Sequence, residues 1–306
     1  MELPCAPLYL SGPTAGGKTA VALALGERIG SVEIVNADAF QIYRGMDILS
    51  AAPTDKEKAA LPHHLFGILS ASESSSAAEF ATLANSKIRE VGERALPLVV
   101  GGSGLYLKAI THGLAPTPKG DAALRSELDA LSLDELVARY RDADPIGAEQ
   151  TNLKNRRYVT RNLEISLLAG RPASEIKSEW QENQPDIRAV YLSWDRESLY
   201  HRINARTVRM FESGVVEEIA ALPEVSETAA KAIGYREIRS LLGGEMERET
   251  CMEKIQQLTR HYAKRQETWF RREPSFRPVP VTERDSPGEI ADRIISLCEL
   301  EETIGS

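Results

Sequence analysis

The chain has 306 residues, enough for a main domain with an insertion or a second lobe. Hydrophobic residues make up 42% of it and charged residues 27%, and no apolar run approaches the ~20 residues of a membrane span, so no membrane association is expected. The N-terminus lacks a basic segment followed by an apolar one, which predicts no secretory signal and a cytoplasmic location. The net charge of −8 does not by itself indicate a nucleic-acid partner.

The first hundred residues alternate between predicted strands and helices. Residues 7–11, 32–35 and 96–100 are short and apolar, as buried strands are, and residues 18–28 and 76–94 are typical of helices. Strands that alternate with helices predict a parallel sheet with helices on both faces, the α/β arrangement of P-loop NTPase-like proteins.

The segment APTPKG at 115–120 contains two prolines and a glycine, and the sequence after it is charged and rich in helix-forming residues. We therefore predict a helical insertion domain at 116–184 within a catalytic core of residues 1–115 and 185–306. Residues 188–194 are predicted to return to the sheet, and helices are predicted at 198–211, 229–242 and 253–272.

Cys5, Cys251 and Cys298 are odd in number and form no CxxC pair, which argues against disulfides and against a zinc site. His63 and His64 have no third partner at metal-ligand spacing, so structural roles are favoured for both.

A phosphate-binding turn is predicted from a G-x-x-x-x-G-K-[ST] pattern between a strand and a helix. Its residues are Gly12, Pro13, Thr14, Ala15, Gly16, Gly17, Lys18 and Thr19. In such a turn backbone N–H groups surround phosphate oxygens, the lysine adds a positive charge, and the final hydroxyl can bind Mg²⁺. The predicted strand 96–100 ends in Gly101 and Gly102 rather than in an acid, which disfavours triphosphate hydrolysis.

Asp38 follows a predicted strand at the edge of the sheet where the phosphate turn also lies. Its carboxylate could accept a proton from a substrate, and the alternatives are a helix cap or an indirect Mg²⁺ contact. Gln41 could present its amide to an adenine edge.

Six motifs together resemble, in order, those of the tRNA dimethylallyltransferase (tRNA isopentenyltransferase) family. They are GPTAGGKT at 12–19, DAFQIYRGMDI at 38–48, HHLF at 63–66, GGSGLYLKA at 101–109, AIGYREI at 232–238 and TRHYAKRQETWFRR at 259–272. The resemblance implies transfer of a dimethylallyl group from dimethylallyl diphosphate to the N6 amine of the adenosine 3′ of the tRNA anticodon. It also implies Mg²⁺, and an insertion that grips the anticodon stem-loop of tRNA. A monomer is expected.

The resemblance also implies roles for individual residues. Asp38 would be the general base. From the chemistry of such a transfer we expect Lys18 to stabilise the leaving diphosphate and Thr14 to orient the diphosphate or the donor. The implied tRNA contacts are Asp38, Ala39, Phe40, Gln41, Ser103, Arg125, Arg157, Tyr158, Val159, Thr160 and Arg161. Arg202 and Arg206 match a family pattern without an assigned role. The chain departs from the usual family residues at Ala39, Ala52, Ser103 and Asn162.

The predicted helix 253–272 carries an apolar stripe at 100° steps, formed by Leu258, Tyr262 and Trp269 with Arg265 beside it. We expect Arg265 to approach the diphosphate or a structural carboxylate, since an arginine on an apolar stripe needs an anionic partner. The opposite face, with Arg260, Lys264 and Arg271, either meets tRNA phosphate or is solvated. Candidates for stacking on the extruded base or for core packing are Phe40, Tyr43 and Tyr106.

Three alternatives remain open on sequence alone. A P-loop small-molecule kinase would share the fold and use Asp38 on a hydroxyl. An adenylate isopentenyltransferase acting on free nucleotides would share the core motifs but has less use for the insertion. A non-catalytic tRNA-binding protein would not need Lys18, Thr19 and Asp38 intact.

Overall fold

The structure is a computed structural model that describes residues 5–179 and 186–300. The described residues form eight strands: β1 Leu8–Ser11, β2 Val32–Asn36, β3 Tyr43–Arg44, β4 His63–His64, β5 Leu69–Ser70, β6 Leu96–Gly101, β7 Arg188–Trp194 and β8 Arg277–Val281. The helices of the first half are α1 Lys18–Ile29, α2 Asp47–Ser50, α3 Asp55–Ala60, α4 Ala77–Gly92, α5 Gly104–Thr111, α6 Ala122–Asp129, α7 Leu133–Ala143 and α8 Pro145–Gln150. Those of the second half are α9 Arg156–Ala169, α10 Ala173–Glu179, α11 Arg196–Glu212, α12 Val215–Ala220, α13 Tyr235–Leu242, α14 Arg248–Phe270 and α15 Pro287–Leu297.

Six strands form one parallel sheet in the order β4-β2-β6-β1-β7-β8, which confirms the predicted fold class. In the centre of the sheet Leu8 of β1 lies opposite Leu98 of β6 and Arg188 of β7. The central strands β1 and β6 are buried throughout, and side chains of α1, α11, α14 and α15 pack with them in one hydrophobic core. Because the strands are parallel, the chain segments that follow β1, β2 and β6 emerge at the same edge, and this edge carries the candidate site.

Two glycines shape this edge. Gly17 adopts a left-handed conformation with φ of 84° and ends the phosphate turn where α1 begins. Gly101 ends β6, and a Cβ atom there would lie 2.3 Å from the carbonyl oxygen of Ala37. The absence of a side chain at Gly101 therefore allows the segment leading to Asp38 to pass against the end of β6.

The chain divides into two compact units, residues Met1–Thr111 with Gln184–Ser306, and residues His112–Asn183. The second unit contains α6 to α10, and the insertion predicted from sequence was 116–184. Its core is built from Leu128, Leu136, Tyr140, Ala148, Val159 and Leu163. Beside this core the fully buried carboxylate of Glu164 receives Arg125 at 2.9 Å and Arg161 at 2.5 Å. Burial acts to raise the pKa of Glu164, but hydrogen bonds from the two guanidinium groups lower it below its usual value.

Two features of the core differ from the sequence prediction. The helix predicted at 229–242 is a 3₁₀ turn, Ala229–Lys231, followed by α13, because Gly234 with φ of 99° interrupts the helix between them. Strand β8 was not predicted, since it contains Pro278 and Pro280, and it forms the edge of the sheet where proline is tolerated. Within residues 5–179 and 186–300, no helix has the length and apolar character needed to cross a bilayer.

Candidate active site

The phosphate turn lies between β1 and α1, as predicted. The Nζ of Lys18 donates to the carbonyl oxygens of Gly12 at 3.1 Å and Pro13 at 3.0 Å, so the lysine folds back over the turn. Burial lowers the pKa of Lys18 to about 8, and the positive charge of Arg206 adds to this effect while Asp38 opposes it. The ammonium group thus sits in a poorly solvated site that an anion would stabilise.

Side chains from β7 and α11 support the turn. The indole N–H of Trp194 donates to the carbonyl oxygen of Gly16 at 3.1 Å, and the Nε of Arg202 donates to that of Ala15 at 2.9 Å. The Arg202 guanidinium also lies over the Trp194 ring, 4.6 Å from its centroid. Arg202 therefore has a structural role beneath the turn, a role that the sequence did not assign.

Gln266 of α14 connects the turn to the end of β6. Its Oε1 accepts from the backbone N–H of Thr14 at 2.9 Å, and its Nε2 donates to the carbonyl oxygen of Gly102 at 2.7 Å. The side chain is buried, and a Cβ atom at Gly102 would lie 2.5 Å from its Nε2. Gln266 was not predicted from the sequence; the signal that could have found it is that a buried amide on a helix face needs hydrogen-bond partners.

Arg206 of α11 places a second cation at the turn. Its Nη1 donates to the hydroxyl of Thr14 at 2.7 Å, and its buried Nε has no hydrogen-bond partner. Burial lowers the pKa of Arg206. Among the described residues neither Arg206 nor Lys18 forms an ion pair within 4.0 Å. Two buried cations that form no close ion pair within the described residues form a site suited to a multiply charged anion.

Asp38 faces this pair of cations from the end of β2. Its backbone N–H donates to the Oδ1 of Asn36 at 2.8 Å, and its own Oδ1 accepts from the N–H of Phe40 at 2.9 Å. The carboxylate stabilises the charged forms of Lys18 and Arg206 electrostatically. One oxygen therefore fixes the local turn, while Oδ2 makes no hydrogen bond within the described part of the chain.

A single cavity of about 340 Å³ joins these groups. The polar residues that line it include Thr14, Lys18, Thr19, Asp38, Glu57, Arg206 and Gln266. The apolar residues that line it include Leu49, Val100, Ile203, Met210, Ala232, Ile233 and Ile255. The cavity can thus hold a ligand that has both an anionic and an apolar part, with a proton acceptor beside it.

The aromatic and amide groups near Asp38 have different surroundings. Phe40 lines the cavity, whereas Tyr43 is buried and its hydroxyl lies 3.0 Å from that of Thr228, which assigns Tyr43 to the core. Tyr106 packs on Phe80 with ring centroids 5.2 Å apart, and burial raises the pKa of Tyr106 to about 12. Gln41 lines the cavity, but its Nε2 donates to the carbonyl oxygens of residues 50 and 51, so this nitrogen is not available to an adenine edge.

The expectation for Arg265 is wrong. The residue is exposed, does not line the cavity, and lies 5.6 Å from the centroid of the Tyr262 ring. The buried face of α14 is turned from the predicted stripe, so that Gln266 rather than Arg265 reaches the phosphate turn. Arg260 also departs from its predicted outer face, since its Nη1 donates to the Oδ1 of Asn204 at 2.6 Å. Lys264 and Arg271 are exposed, as expected.

Of the implied tRNA contacts in the insertion, Val159 is contradicted by the structure. Its side chain is completely buried in the core of that unit and offers no surface to a macromolecule. Arg157 and Tyr158 are exposed on α9, and the hydroxyl of Thr160 is buried without a partner.

Arg125 and Arg161 bind Glu164, which gives both a structural role and leaves them partly exposed. Ser103 lies in the first compact unit, just before α5, and its side chain hydrogen-bonds with that of Tyr262.

The cysteines and the paired histidines have the following surroundings. Cys5, Cys251 and Cys298 are free thiols. His64 contacts Glu33 at 2.6 Å, and the Nδ1 of His63 lies 2.8 Å from the carbonyl oxygen of Leu61. In residues 5–179 and 186–300 no group of three or more His, Cys, Asp or Glu side chains could hold a metal ion.

A parallel sheet whose central strand leads through a phosphate turn into a helix defines the P-loop class of α/β proteins. Within this class, the chain belongs to the IPP transferase family, whose model matches residues 41–273. It is 43% identical over 289 residues to the tRNA dimethylallyltransferase of Akkermansia muciniphila, covering 94% of this chain and 98% of the relative. Its identity to the tRNA dimethylallyltransferase of Geobacter sulfurreducens is 38%, over 89% of this chain and 91% of that one.

Solved structures of proteins with this activity in their names are also similar to this chain. The tRNA isopentenylpyrophosphate transferase of Bacillus halodurans is 33% identical, with a TM-score of 0.70 and coverage of 97% of both chains. A eukaryotic dimethylallyltransferase acting on tRNA superposes with a TM-score of 0.81 at 22% identity, covering 99% of this chain and 81% of that one, which supports the fold.

Proposed function

We propose that this protein transfers the dimethylallyl group of dimethylallyl diphosphate to the N6 amine of the adenosine immediately 3′ of the anticodon in tRNA. The relatives described above carry the name of this activity. The observation that carries the proposal is the cavity in which Lys18 and Arg206, which form no ion pair within 4.0 Å in the described residues, face Asp38. A diphosphate ester with an apolar group matches the cationic and the apolar residues that line this cavity.

In the proposed reaction the bond between the allylic carbon and the diphosphate oxygen breaks, and a bond from the adenine N6 to that carbon forms. Lys18, Arg206 and the turn stabilise the negative charge on the departing diphosphate. Adenine N6 is a weak nucleophile because its lone pair is delocalised into the ring, so loss of its proton must accompany attack. Asp38 accepts that proton at Oδ2, the oxygen that its local turn leaves unbonded.

Mg²⁺ fits the cavity through the hydroxyl of Thr19, which lines it at the start of α1. The described residues contain no acidic cluster for the ion, and this donor set suits Mg²⁺ held mainly by diphosphate oxygens and water. When bound, the ion would neutralise part of the diphosphate charge.

Exposed side chains in both units are proposed to contact tRNA. On the insertion they are Arg157 and Tyr158, an arginine that can bind phosphate and an aromatic ring on which a base can stack. On the core they are Lys264, Arg265 and Arg271. We propose a monomer, and we propose a cytoplasmic location because the proposed substrate is tRNA.

The proposal is tested with purified protein, Mg²⁺, labelled dimethylallyl diphosphate and unmodified tRNA. Label is expected in adenosine with the natural protein and with Asp55→Asn, an exposed acid on α3, and is expected to be lost with Asp38→Asn. Transfer to AMP but not to an anticodon stem-loop would instead show an enzyme of free nucleotides. ATP turnover with phosphorylation of a small hydroxyl compound would show a kinase.

A further inference from the structure

One wall of the cavity is formed by α2, a helix of only four residues. This wall contributes Leu49, Ser50 and the following Ala51. A single helical turn does not stabilise itself, because its backbone groups have too few internal partners. Its position must therefore be set by groups outside it.

Two side chains hold α2 from opposite ends. At its N-terminus the carboxylate of Glu218 accepts from the backbone N–H groups of Ile48 at 2.7 Å and Leu49 at 2.9 Å. At its C-terminus the amide of Gln41 donates to the carbonyl oxygens of Ser50 at 3.2 Å and Ala51 at 2.8 Å. A carboxylate at the N-terminus and N–H donors at the C-terminus are the partners that a helix end requires.

Glu218 lies on α12, whose Val215 and Ile219 are buried and fix the helix in the core. It does not line the cavity, and it forms no ion pair within 4.0 Å among the described residues. Its two carboxylate oxygens are thus devoted to α2. A half-buried carboxylate that serves two backbone amides of a cavity wall loses hydration, so it is costly to retain unless the position of that wall matters.

The wall lies at the end of the cavity remote from the phosphate turn. A Cβ atom at Gly234 would meet Leu49 Cδ1 at 3.0 Å and Ile255 Cδ1 at 3.3 Å, so these two side chains converge on Gly234. Ile255 and Gln266 both line the cavity from α14, and they are eleven positions apart, which corresponds to about 16 Å along the helix axis. Because Gln266 binds the phosphate turn, Leu49 must lie toward the opposite, apolar end.

We propose that Glu218 is a positioning residue that holds α2 so that Leu49 closes the apolar end of the cavity around the five-carbon group of the donor. The inference rests on the proposed function and extends it, because it names the element that sets the length of the isoprenoid. Loss of the carboxylate frees α2, weakens donor binding and relaxes selection against longer chains.

The test compares Glu218→Gln with Glu217→Gln, which makes the same change at an exposed position of the same helix. We measure kcat and KM for dimethylallyl diphosphate and for tRNA, together with Tm. For Glu218→Gln we expect the donor KM to rise about tenfold, with the tRNA KM within twofold of the natural value, because the neutral amide keeps a single acceptor for two N–H groups. Glu217→Gln should leave all parameters within twofold.

A second variant, Leu49→Ala, alters the cavity wall but leaves the carboxylate of Glu218 in place. It tests the proposal even if Glu218→Gln does not fold. It should raise the donor KM and improve kcat/KM for geranyl diphosphate relative to dimethylallyl diphosphate, and the double variant should show less than the product of the two effects.

The proposal is overturned if Glu218→Gln changes the donor KM no more than Glu217→Gln does. It is also overturned if Leu49→Ala leaves both the donor KM and the donor preference unchanged. Failure of the natural protein to modify tRNA would instead refute the proposed function.

Discussion

A substitution of Arg206 is expected to weaken binding of the donor without lowering the stability of the free protein. Arg206 is a buried cation with one hydrogen bond, to Thr14 at 2.7 Å, and an unpartnered Nε, and it has no ion pair in the described residues. Replacing it with Met removes a charge-assisted hydrogen bond to the donor worth about 1.5–3 kcal/mol, or a loss of roughly 10- to 150-fold in kcat/KM. The same change removes a buried cation whose attraction to Asp38 only partly offsets its loss of hydration, so Tm should stay constant or rise by about 2–4 °C.

The assay for this prediction is steady-state transfer of label to tRNA at varied donor concentration, beside thermal unfolding without ligand. The matched control is Arg209→Met, three residues along α11, where the side chain is exposed. Arg206→Lys should recover only part of the activity, since an ammonium group lacks the planar pair of donors that suits a phosphate. The reasoning is refuted if Arg206→Met lowers Tm. It is also refuted if Arg209→Met reduces kcat/KM by the same factor as Arg206→Met does.

Three further predictions concern other parts of the structure. Because burial lowers the pKa of Lys18 to about 8, its cation is present below that pH and lost above it, so the donor KM should rise about tenfold between pH 7 and 9 and be flat over this range in Lys18→Met. Gln266→Leu leaves two buried backbone groups unpaired and should lower kcat/KM more than tenfold, while Gln257→Leu, exposed on the same helix, should not. Glu164→Gln should destabilise the insertion by about 3 kcal/mol in urea unfolding, and Glu175→Gln should not.

The parts of the site that lie on consecutive residues could be predicted from the sequence. The phosphate turn is fixed by its own glycines and by the strand and helix that flank it, so Lys18 and Thr19 were placed correctly beside the cavity. Asp38 was placed correctly for the same reason, since a residue just after a parallel strand must lie at the carboxyl edge of the sheet.

Residues that reach the site from distant helices could not be predicted in the same way. On α14 a shift of one residue turns the side chain by 100° around the helix axis. The apolar stripe of Leu258, Tyr262 and Trp269 predicted that Arg265 approaches the phosphate turn. In the structure Gln266 contacts this turn instead. Periodicity locates a stripe only to within about one residue when apolar side chains are sparse.

In such a helix the hydrogen-bonding capacity of a side chain can identify a site residue where hydrophobic periodicity does not. Gln266 satisfies one donor and one acceptor of the backbone around the phosphate turn, which a charged side chain could not do without leaving one of them unpaired. Arg206 has the opposite character, since its buried Nε has no hydrogen-bond partner. The same cavity therefore contains a fully bonded neutral amide beside the turn and a cation with an unused donor. This contrast is what the proposed binding of a diphosphate to a chain with a net charge of −8 requires: the attraction would be local, because charge on the surrounding surface is screened beyond a distance of about 10 Å.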